Sequence, residues 1–555
     1  MRRDWIVRFW YSFSAAGLVL GTLFFAASLT PTLVPRTFLT QGALSGCAFA
    51  VGYGIGVLGV RLAEYLQLPK PRGHVLRFVK LIAAAACILV GAVFLWRAAE
   101  WQNSIRKVMA MEPVHTAHPL EVGLVALLTF LVLIALARVF QVIFRFVSAR
   151  LRRFVPPRIS HFIGAVVAVA LFWSVIDGVL FRFALHMADS SFREFDALLE
   201  PDRPQPADPA KTGSSASLLN WGELGRAGRG YIASGPTGVD LQAFSGRSAL
   251  DPIRVYVGLR SAETAQERAK LALEELKRVG GFERSVLIVV MPTGTGWIDP
   301  QAMDTVEYLH NGDIASVAMQ YSYLTSWLSL LVEPGYGGEA ARALFSEVYR
   351  YWTTLPKDSR PKLYLHGLSL GAMSSELSTE LFEVLADPYQ GALWSGPPFT
   401  SRIWSSVTRD RNADSPAWLP RFRDGSFVRF TYQENALPAA GTRWGPMRFI
   451  YLQYASDPVT FFDYHSLYEK PAWMNDPRGP DVSPELRWYP IVTFLQLGLD
   501  MAVATTTPIG YGHVFAAEHY VDPWIELTEP QGWTPADIGR LKQMLAEKRQ
   551  EPPAS

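Results

Sequence analysis

The sequence predicts a chain in two parts. An all-α membrane region of about five helices precedes an α/β domain whose mostly parallel sheet carries helices on both faces. Three observations lead to this prediction. Of the 555 residues, 49% are hydrophobic and only 18% are charged, whereas soluble domains carry about 25% charged residues. Five long apolar runs crowd the first 185 residues. Beyond residue 250, short β-branched runs alternate with amphipathic helical patterns, which is typical of a parallel sheet covered by helices.

Each of the five apolar runs approaches the roughly 20 residues that a helix needs to cross a bilayer. They lie at about 9–29, 42–60, 78–96, 120–137 and 162–180. Arg2, Arg3 and Arg8 precede the first run, which is also compatible with a cleaved signal peptide. Its length and the four later runs favour an uncleaved anchor. Residues 1–186 are therefore predicted to form a multi-pass membrane domain.

Basic residues are distributed unevenly among the segments between these runs. Fourteen lie in the N-terminal tail and in the loops after the second and fourth runs, and four lie in the other two loops. Because loops rich in Lys and Arg stay in the cytoplasm, the N-terminus is predicted to be cytoplasmic. An odd number of spans then places everything after residue 185 outside the cytoplasm.

Composition and spacing also exclude several classes of site. The net charge of +2 shows no basic bias that would indicate nucleic acid. Cys47 and Cys87, the only cysteines, lie in apolar runs, which excludes a disulfide framework and a cysteine-rich zinc site. No His-Glu-x-x-His spacing occurs, so neither a metal nor a cofactor is expected. Asp177 lies in or beside the fifth run. It is either a functional group at membrane depth or, as we favour, an edge residue near the head groups.

Residues 187–230 are predicted to be a linker, because the stretch PDRPQPADPAKTGSSAS is rich in Pro, Ser and charge. The catalytic domain is then expected over 231–555, with buried strands that alternate with helices. The strands are predicted at 253–259, 285–291, 314–322, 362–366, 391–395, 427–433 and 448–455, and the helices at 264–280, 339–353 and 370–385.

Ser369 lies in the run Gly367-Leu368-Ser369-Leu370-Gly371, between a predicted strand and a predicted helix. A strand, a sharp turn and a helix form the elbow that presents a nucleophilic serine. Side chains at 367 and 371 would clash with the neighbouring strand and helix in so tight a turn. The turn places Ser369 at the carboxyl end of a central strand, where open α/β sheets bind their ligands.

A nucleophilic serine needs a base, and the base needs an acid that orients it. On this type of sheet the acid follows the serine and the histidine follows the acid. Asp457, directly after the strand RFIYLQYAS, is the preferred acid, and His513, in the Gly-rich segment IGYGHVF, is the preferred histidine. The alternatives are His465 and His519 for the base, and Asp463, Asp476, Asp481 and Asp500 for the acid.

The oxyanion that forms during acyl transfer needs two N–H donors. One is expected from Leu370, and the other from Thr293 or Gly294 in the loop MPTGTGWIDP. The Gly-x-Gly of that loop lacks the third Gly of a dinucleotide site, so a nucleotide is not expected. Farther along, the apolar segment 489–505 is suited either to a buried helix or to an amphipathic lid over a lipidic substrate.

These motifs resemble those of bacterial integral-membrane α/β-hydrolases with an N-terminal multi-pass region. The resemblance lies in SLTPTLVPR (28–36), RVYVGLRSA (254–262), MPTGTGWIDP (291–300), MQYSYLTSWLSLLVEP (319–334) and LYLHGLSLGA (363–372). It implies an α/β-hydrolase fold with a nucleophile at Ser369, an acid at Asp457 and a histidine at His513. One departure is Leu368, where many members of that family carry Glu. The resemblance implies a serine hydrolase of the bacterial inner membrane without naming its substrate.

The sequence thus predicts a membrane-anchored serine hydrolase, an esterase or lipase-like enzyme that acts outside the cytoplasm on a lipidic or envelope ester. Its expected partners are the lipid bilayer and that ester. Two alternatives stay open. One is an acyltransferase that uses the same three residues. The other is a transport or scaffold protein with a non-catalytic hydrolase-like domain.

Overall fold

A computed structural model describes residues 13–68, 74–174, 196–324, 329 and 335–548. The chain divides into two compact units. The helical unit comprises Met1–Leu185, Phe462–Met474 and Pro480–Val503. The sheet unit comprises His186–Phe461, Asn475–Gly479 and Ala504–Ser555.

Seventeen α-helices are numbered here in chain order, within the described residues. They are α1 (Ala15–Ser28), α2 (Phe38–Tyr65), α3 (His74–Val108), α4 (Pro119–Leu151), α5 (Pro157–Trp173), α6 (Gly225–Ala233), α7 (Gly238–Ser245), α8 (Ala265–Arg278), α9 (Pro300–Leu309), α10 (Tyr336–Thr354), α11 (Leu370–Glu376), α12 (Leu381–Val384), α13 (Arg402–Arg409), α14 (Pro458–Phe461), α15 (Val492–Ala502), α16 (Ala517–Thr528) and α17 (Pro535–Lys548). The predicted helix 370–385 is divided into α11 and α12. At the break, the Ser378 hydroxyl donates to the Ser375 carbonyl and competes with the helical backbone.

Seven strands form one sheet in the sheet unit. They are β1 (Ile253–Val257), β2 (Val286–Met291), β3 (Ile314–Met319), β4 (Lys362–Leu368), β5 (Gly391–Ser395), β6 (Val428–Thr431) and β7 (Arg448–Leu452). Their order is β1-β3-β2-β4-β5-β7-β6, and every neighbouring pair is parallel. All residues of β2 and β3 are buried, as continuous apolar runs predict. Helices α8, α11 and α16 pack against strands of this sheet. The predicted α/β-hydrolase fold is confirmed.

The five apolar runs correspond to helices α1 to α5 of the helical unit. Among the described residues, three helices are long and apolar enough to cross a membrane. These are Phe38–Tyr65, Phe78–Val108 and Pro119–Leu151, whereas Ala15–Ser28 and Pro157–Leu171 are shorter. Some of the predicted features lie outside the described residues, namely the first few residues of the first run, the end of the fifth, Asp177, Arg2, Arg3, Arg8, Lys70 and Arg72.

Glycines let the helices of this unit approach each other closely. A Cβ added at Gly46 of α2 would lie 2.6 Å from the Ala126 carbonyl oxygen of α4. One added at Gly56 of α2 would lie 2.6 Å from Gly17 Cα of α1. Small residues at helix crossings are the usual means of packing helices in a bilayer.

Residues 196–230 do not form the predicted linker, because they are folded within the sheet unit. Trp221 and Arg229 are buried there. The Ser217 hydroxyl and the Leu218 N–H both donate to the carboxylate of Glu275 on α8. Composition alone suggested a linker because the stretch has few apolar residues, but these polar groups find partners on a distant helix.

The helical unit also contains two segments that we assigned to the catalytic domain, 462–474 and 480–503. Helix α15, within the predicted segment 489–505, packs against α1 and α2. The Gln496 side-chain amide donates to the carbonyls of Ser28 and Thr30, both at 3.2 Å. Of the two interpretations of this segment, the contacts favour the buried helix.

Candidate active site

Ser369 occupies a strained turn between β4 and α11. Its φ of 57° and ψ of −124° lie in a region that a non-glycine residue adopts only when its surroundings impose it. The Ser369 N–H donates to the Ser395 carbonyl, at the end of β5, over 2.9 Å. This bond ties the serine to the neighbouring central strand, and strain of this kind is concentrated at functional sites.

The two glycines that flank Ser369 allow close backbone approach. A Cβ at Gly367 would lie 2.3 Å from the Gly371 carbonyl group. A Cβ at Gly371 would lie 2.1 Å from the Met291 carbonyl oxygen at the end of β2. Neither position can accept a side chain without a shift of the backbone, so α11 packs directly against the ends of β2 and β4.

His513 and Asp457 form a buried hydrogen-bonded pair in the sheet unit. Nδ1 of His513 lies 2.7 Å from Oδ2 of Asp457, and the side chains are 8% and 0% exposed. Since a carboxylate accepts, Nδ1 carries the proton and Nε2 is left to exchange protons. Nε2 is buried and has no hydrogen-bond partner within the described part of the chain.

Both members of this pair are held in place by their loops. Asp457 Oδ1 accepts the Val459 N–H over 2.8 Å, at the start of the short helix α14. The Gly512 N–H donates to the Ser456 hydroxyl over 2.9 Å. The loop that follows β7 is thereby joined to the loop that carries His513, and the imidazole is oriented by contacts on both sides.

Gly396 links the serine to the histidine–aspartate pair, and the sequence analysis did not identify it. It follows Ser395, whose carbonyl accepts from Ser369. A Cβ at Gly396 would lie 2.9 Å from His513 Cε1 and 3.0 Å from Asp457 Oδ2. The only signal was a glycine directly after a predicted buried strand. The elbow and the His513–Asp457 pair therefore meet at the end of β5.

The alternative histidines and acids have other partners. His465 and Asp463 bond each other at 2.8 Å in an exposed turn of the helical unit. His519 Nδ1 lies 2.6 Å from the Tyr454 hydroxyl. Asp500 pairs with Arg36 in the helical unit. Of the remaining acids, Asp481 is buried in the helical unit, and Asp476 is exposed in the sheet unit beside Arg478.

The backbone N–H groups predicted to bind the oxyanion lie in different hydrogen-bonding surroundings. Leu370 is the first residue of α11, so its N–H has no partner within the helix. The Thr293 N–H already donates to the Trp297 carbonyl over 2.9 Å, which disfavours Thr293 as a donor. Gly294 follows it in the same turn, which the Gly296 N–H closes by donating to the Thr293 carbonyl.

Asp299, which the sequence analysis also missed, adds a second carboxyl group to the electrostatic environment of His513. It begins α9, and the Tyr520 hydroxyl donates to its Oδ2 over 2.9 Å. Burial raises the pKa of Asp299 to about 7, although the Tyr520 hydroxyl, the Gln301 N–H and the charge of His513 act in the opposite direction. No local pattern connects this helix cap to residue 513.

The described residues include no cluster of His, Cys, Asp and Glu that could hold a metal ion. The site brings together a serine in a strained turn and a histidine whose Nε2 has no hydrogen-bond partner in the described part of the chain. That arrangement suits nucleophilic attack on an acyl group.

Comparison with known proteins shows the family to which the chain is related. A model of an alpha/beta-hydrolase family matches residues 253–541, and a model of that family's N-terminal region matches residues 29–236. No curated protein and no solved structure matches. Because the first model covers more than half of the chain, the protein belongs to this alpha/beta-hydrolase family.

Proposed function

We propose that the protein is a membrane-anchored serine hydrolase that cleaves a carboxylic ester of a lipidic or envelope substrate. The observation that carries this proposal is the buried His513–Asp457 pair, which meets the Ser369 elbow at Ser395 and Gly396. Membership of the alpha/beta-hydrolase family supports hydrolysis in general. The choice of an ester rests on the serine and histidine chemistry.

The proposed reaction has two steps. Ser369 Oγ attacks the ester carbonyl while His513 Nε2 takes its proton, and the same proton then passes to the departing alkoxide. Water next attacks the acyl-serine, again with His513 as base, and releases the acid and the serine. Asp457 keeps the proton on Nδ1 and stabilises the imidazolium. The N–H of Leu370 stabilises the oxyanion, and we propose that the second donor lies in the Thr293–Gly294 turn.

The proposed location is the bacterial inner membrane, with the N-terminus in the cytoplasm and the sheet unit outside. The three long apolar helices and the uneven basic loops support it. Protease added to intact spheroplasts is expected to cleave the chain beyond residue 200. Cleavage of the sheet unit only after the cells are lysed would contradict this orientation.

Labelling with a fluorophosphonate tests the nucleophile. We expect the wild-type protein to be labelled and Ser369→Ala to lose the label. Ser359→Ala, at an exposed serine of the same unit, should keep it. Labelling that persists in Ser369→Ala would remove Ser369 from the mechanism. Product analysis with water and with alcohol acceptors then separates hydrolysis from acyl transfer.

A further inference from the structure

The sheet unit contains an open cavity of about 440 Å³ that the proposed mechanism does not use. Thr295 and Trp297, in the loop after β2, form one wall, and Gln320 and Tyr323, after β3, form another. Among the described residues, a further part of the wall comes from 196–234, which include three charged side chains. These are Asp196, Arg203 and Arg226.

The strand order places this cavity beside the Ser369 elbow. Strand β2 lies between β3 and β4, so the loop after β2 separates the cavity from Ser369. Two strand spacings correspond to about 10 Å. The loop is braced, because Gln320 Nε2 donates to the Thr295 carbonyl at 3.3 Å and the Tyr256 hydroxyl donates to the Gly296 carbonyl at 2.7 Å. The two places are thus neighbours on one rigid edge of the sheet.

The cavity wall has an excess of positive charge. Glu200 is the carboxylate partner of three arginines, Arg203 at 3.2 Å, Arg226 at 3.4 Å and Arg229 at 2.9 Å. Arg229 is fully buried against Glu200, whereas the Arg203 and Arg226 side chains are 37% and 43% exposed. With Asp196, the described side chains here supply two carboxylates for these three guanidinium groups. The net charge is still positive, so the two arginines at the cavity attract a further anion.

Asp196 contributes an acceptor to the same cavity. It is 8% exposed, and its Oδ1 accepts the Arg226 N–H over 2.9 Å. Its Oδ2 is buried, and the Gln320 side chain is near enough to donate a hydrogen bond to the Asp196 carboxylate. A carboxylate can accept several hydrogen bonds, so it has capacity for a further donor on a ligand.

We propose that this cavity binds an anionic group of the substrate, a phosphate or a carboxylate, about 10 Å from the ester carbonyl at Ser369. Arg203 and Arg226 pair with the anion, and Asp196 Oδ2 accepts from a hydroxyl or ammonium group next to it. The inference rests on the proposed function, because it assigns the substrate as an anionic ester. A span of about 10 Å corresponds to roughly eight bonds between the ester carbonyl and the anion.

Monoesters of dicarboxylic acids with p-nitrophenol test the spacing. Within a series of increasing chain length, we expect the lowest KM when roughly eight bonds separate the carboxylate from the ester carbonyl. Arg226→Gln and Arg203→Gln should each raise that KM about tenfold, because each removes a charge-assisted bond. Neither variant should change kcat, or the kinetics of a neutral ester of the same length. Both side chains are partly exposed, so we expect the variants to fold.

Arg350→Gln is the matched control, since Arg350 is an exposed arginine that pairs with Glu347. It should leave the kinetics of both esters unchanged. The inference is overturned if the wild-type protein does not discriminate between anionic and neutral esters, or if Arg226→Gln affects both equally.

Binding to the full-length Ser369→Ala protein distinguishes failure of this inference from failure of the proposed function. The probes are inorganic phosphate, a lysophosphatidylglycerol and a neutral monoacylglycerol, each measured by calorimetry. Binding of the lysophospholipid that Arg226→Gln weakens supports the site with a lipid head group as its source. Binding of phosphate alone, weakened in the same way, supports it with a soluble anionic ester. Equal binding of the neutral lipid and the lysophospholipid, without bound phosphate, overturns the inference even when fluorophosphonate labels Ser369.

Discussion

Two aspartates that lie 43 residues apart in the chain form buried pairs with opposite chemical character. Asp457 contacts His513 in the sheet unit, and Asp500 contacts Arg36 in the helical unit. In each pair the nitrogen and the carboxylate oxygen are 2.7 Å apart. All four side chains are less than a tenth exposed. The difference lies in the basic partner, since a neutral imidazole has one donor and one acceptor nitrogen whereas a guanidinium only donates.

The surroundings of the two pairs differ in the same sense. The Asp500 carboxylate accepts from Arg36 Nε at 2.9 Å, from Nη2 at 2.7 Å and from the Leu33 N–H at 3.0 Å. Its donors are two N–H groups of one guanidinium and one backbone N–H. The Asp457 carboxylate orients an imidazole whose Nε2 is left without a partner in the described residues. The first arrangement joins segments of a fold, and the second is the pair to which our proposed mechanism assigns proton transfer.

The largest effect, on kcat, should come from removing the charge of Asp457. Asp457→Asn is expected to lower kcat about 10³- to 10⁴-fold while the fold is kept, because the amide holds the wrong tautomer of His513. Ester hydrolysis with circular dichroism as the folding check measures this. Asp463→Asn, at the exposed Asp463–His465 pair, should change kcat less than about twofold. Equal losses in the two variants would contradict the assigned acid.

Breaking the second pair should affect stability instead. Arg36→Ala leaves the Asp500 carboxylate buried without its cation, which should cost about 3–5 kcal/mol of the free energy of unfolding. Replacing both partners, with Arg36→Met and Asp500→Leu, should restore most of that loss. Thermal unfolding in detergent measures the effect. Glu100→Ala, at the exposed Arg97–Glu100 pair, is the control and should leave the unfolding temperature nearly unchanged. Similar losses in the two single variants would show that the buried pair is not special.

The third effect tests whether Gly396 positions the histidine–aspartate pair. In Gly396→Ala, the added Cβ would meet His513 and Asp457 at 2.9 and 3.0 Å, so we expect kcat to fall about 10²-fold. Gly441→Ala is the matched control, because Gly441 also has a positive φ, of 68°, but has open space around its Cα. Both variants carry backbone strain, and only Gly396→Ala should lose activity. Full activity in Gly396→Ala would place the pair farther from this turn.

The smallest effect concerns a buried carboxyl group without a cationic partner. Glu376 of α11 accepts from the Tyr451 hydroxyl at 2.8 Å, and burial raises the pKa of Glu376 to about 8. In the unfolded chain the pKa of Glu is about 4.3. The folded state therefore holds the Glu376 proton more tightly than the unfolded chain does. The contribution of Glu376 to the free energy of unfolding is full below about pH 4.3 and is lost as the pH rises to about 8.

Glu376→Gln is expected to flatten that decline. Between pH 6 and 8 the wild-type protein should lose about 2 kcal/mol more than the variant, measured as unfolding temperature against pH. Parallel curves for the two proteins would show that Glu376 is not protonated in the folded state.

The sequence by itself determined the seven strands of the sheet unit in chain order, the approximate positions of three of its helices, and the apolar helices of the first 185 residues. It also located the Ser369 elbow, and it named the acid and histidine that the structure brings together. These results depend on patterns within about 20 residues, such as buried β-branched runs, helical periodicity and glycines at a sharp turn. Short-range sterics and hydrophobic burial decide such features, so they are visible without the fold.

Only the tertiary structure decided how distant polar groups pair. Asp457 and Asp500 were both candidate acids, and the structure joins one to His513 and the other to Arg36, 464 residues away. It also placed 480–503 in the helical unit, folded residues 196–230 against the sheet unit, and revealed Gly396 and Asp299. A polar side chain in a sequence shows only that it needs a partner if it is buried. Which partner it finds depends on packing between elements far apart in the chain, and no local pattern records that.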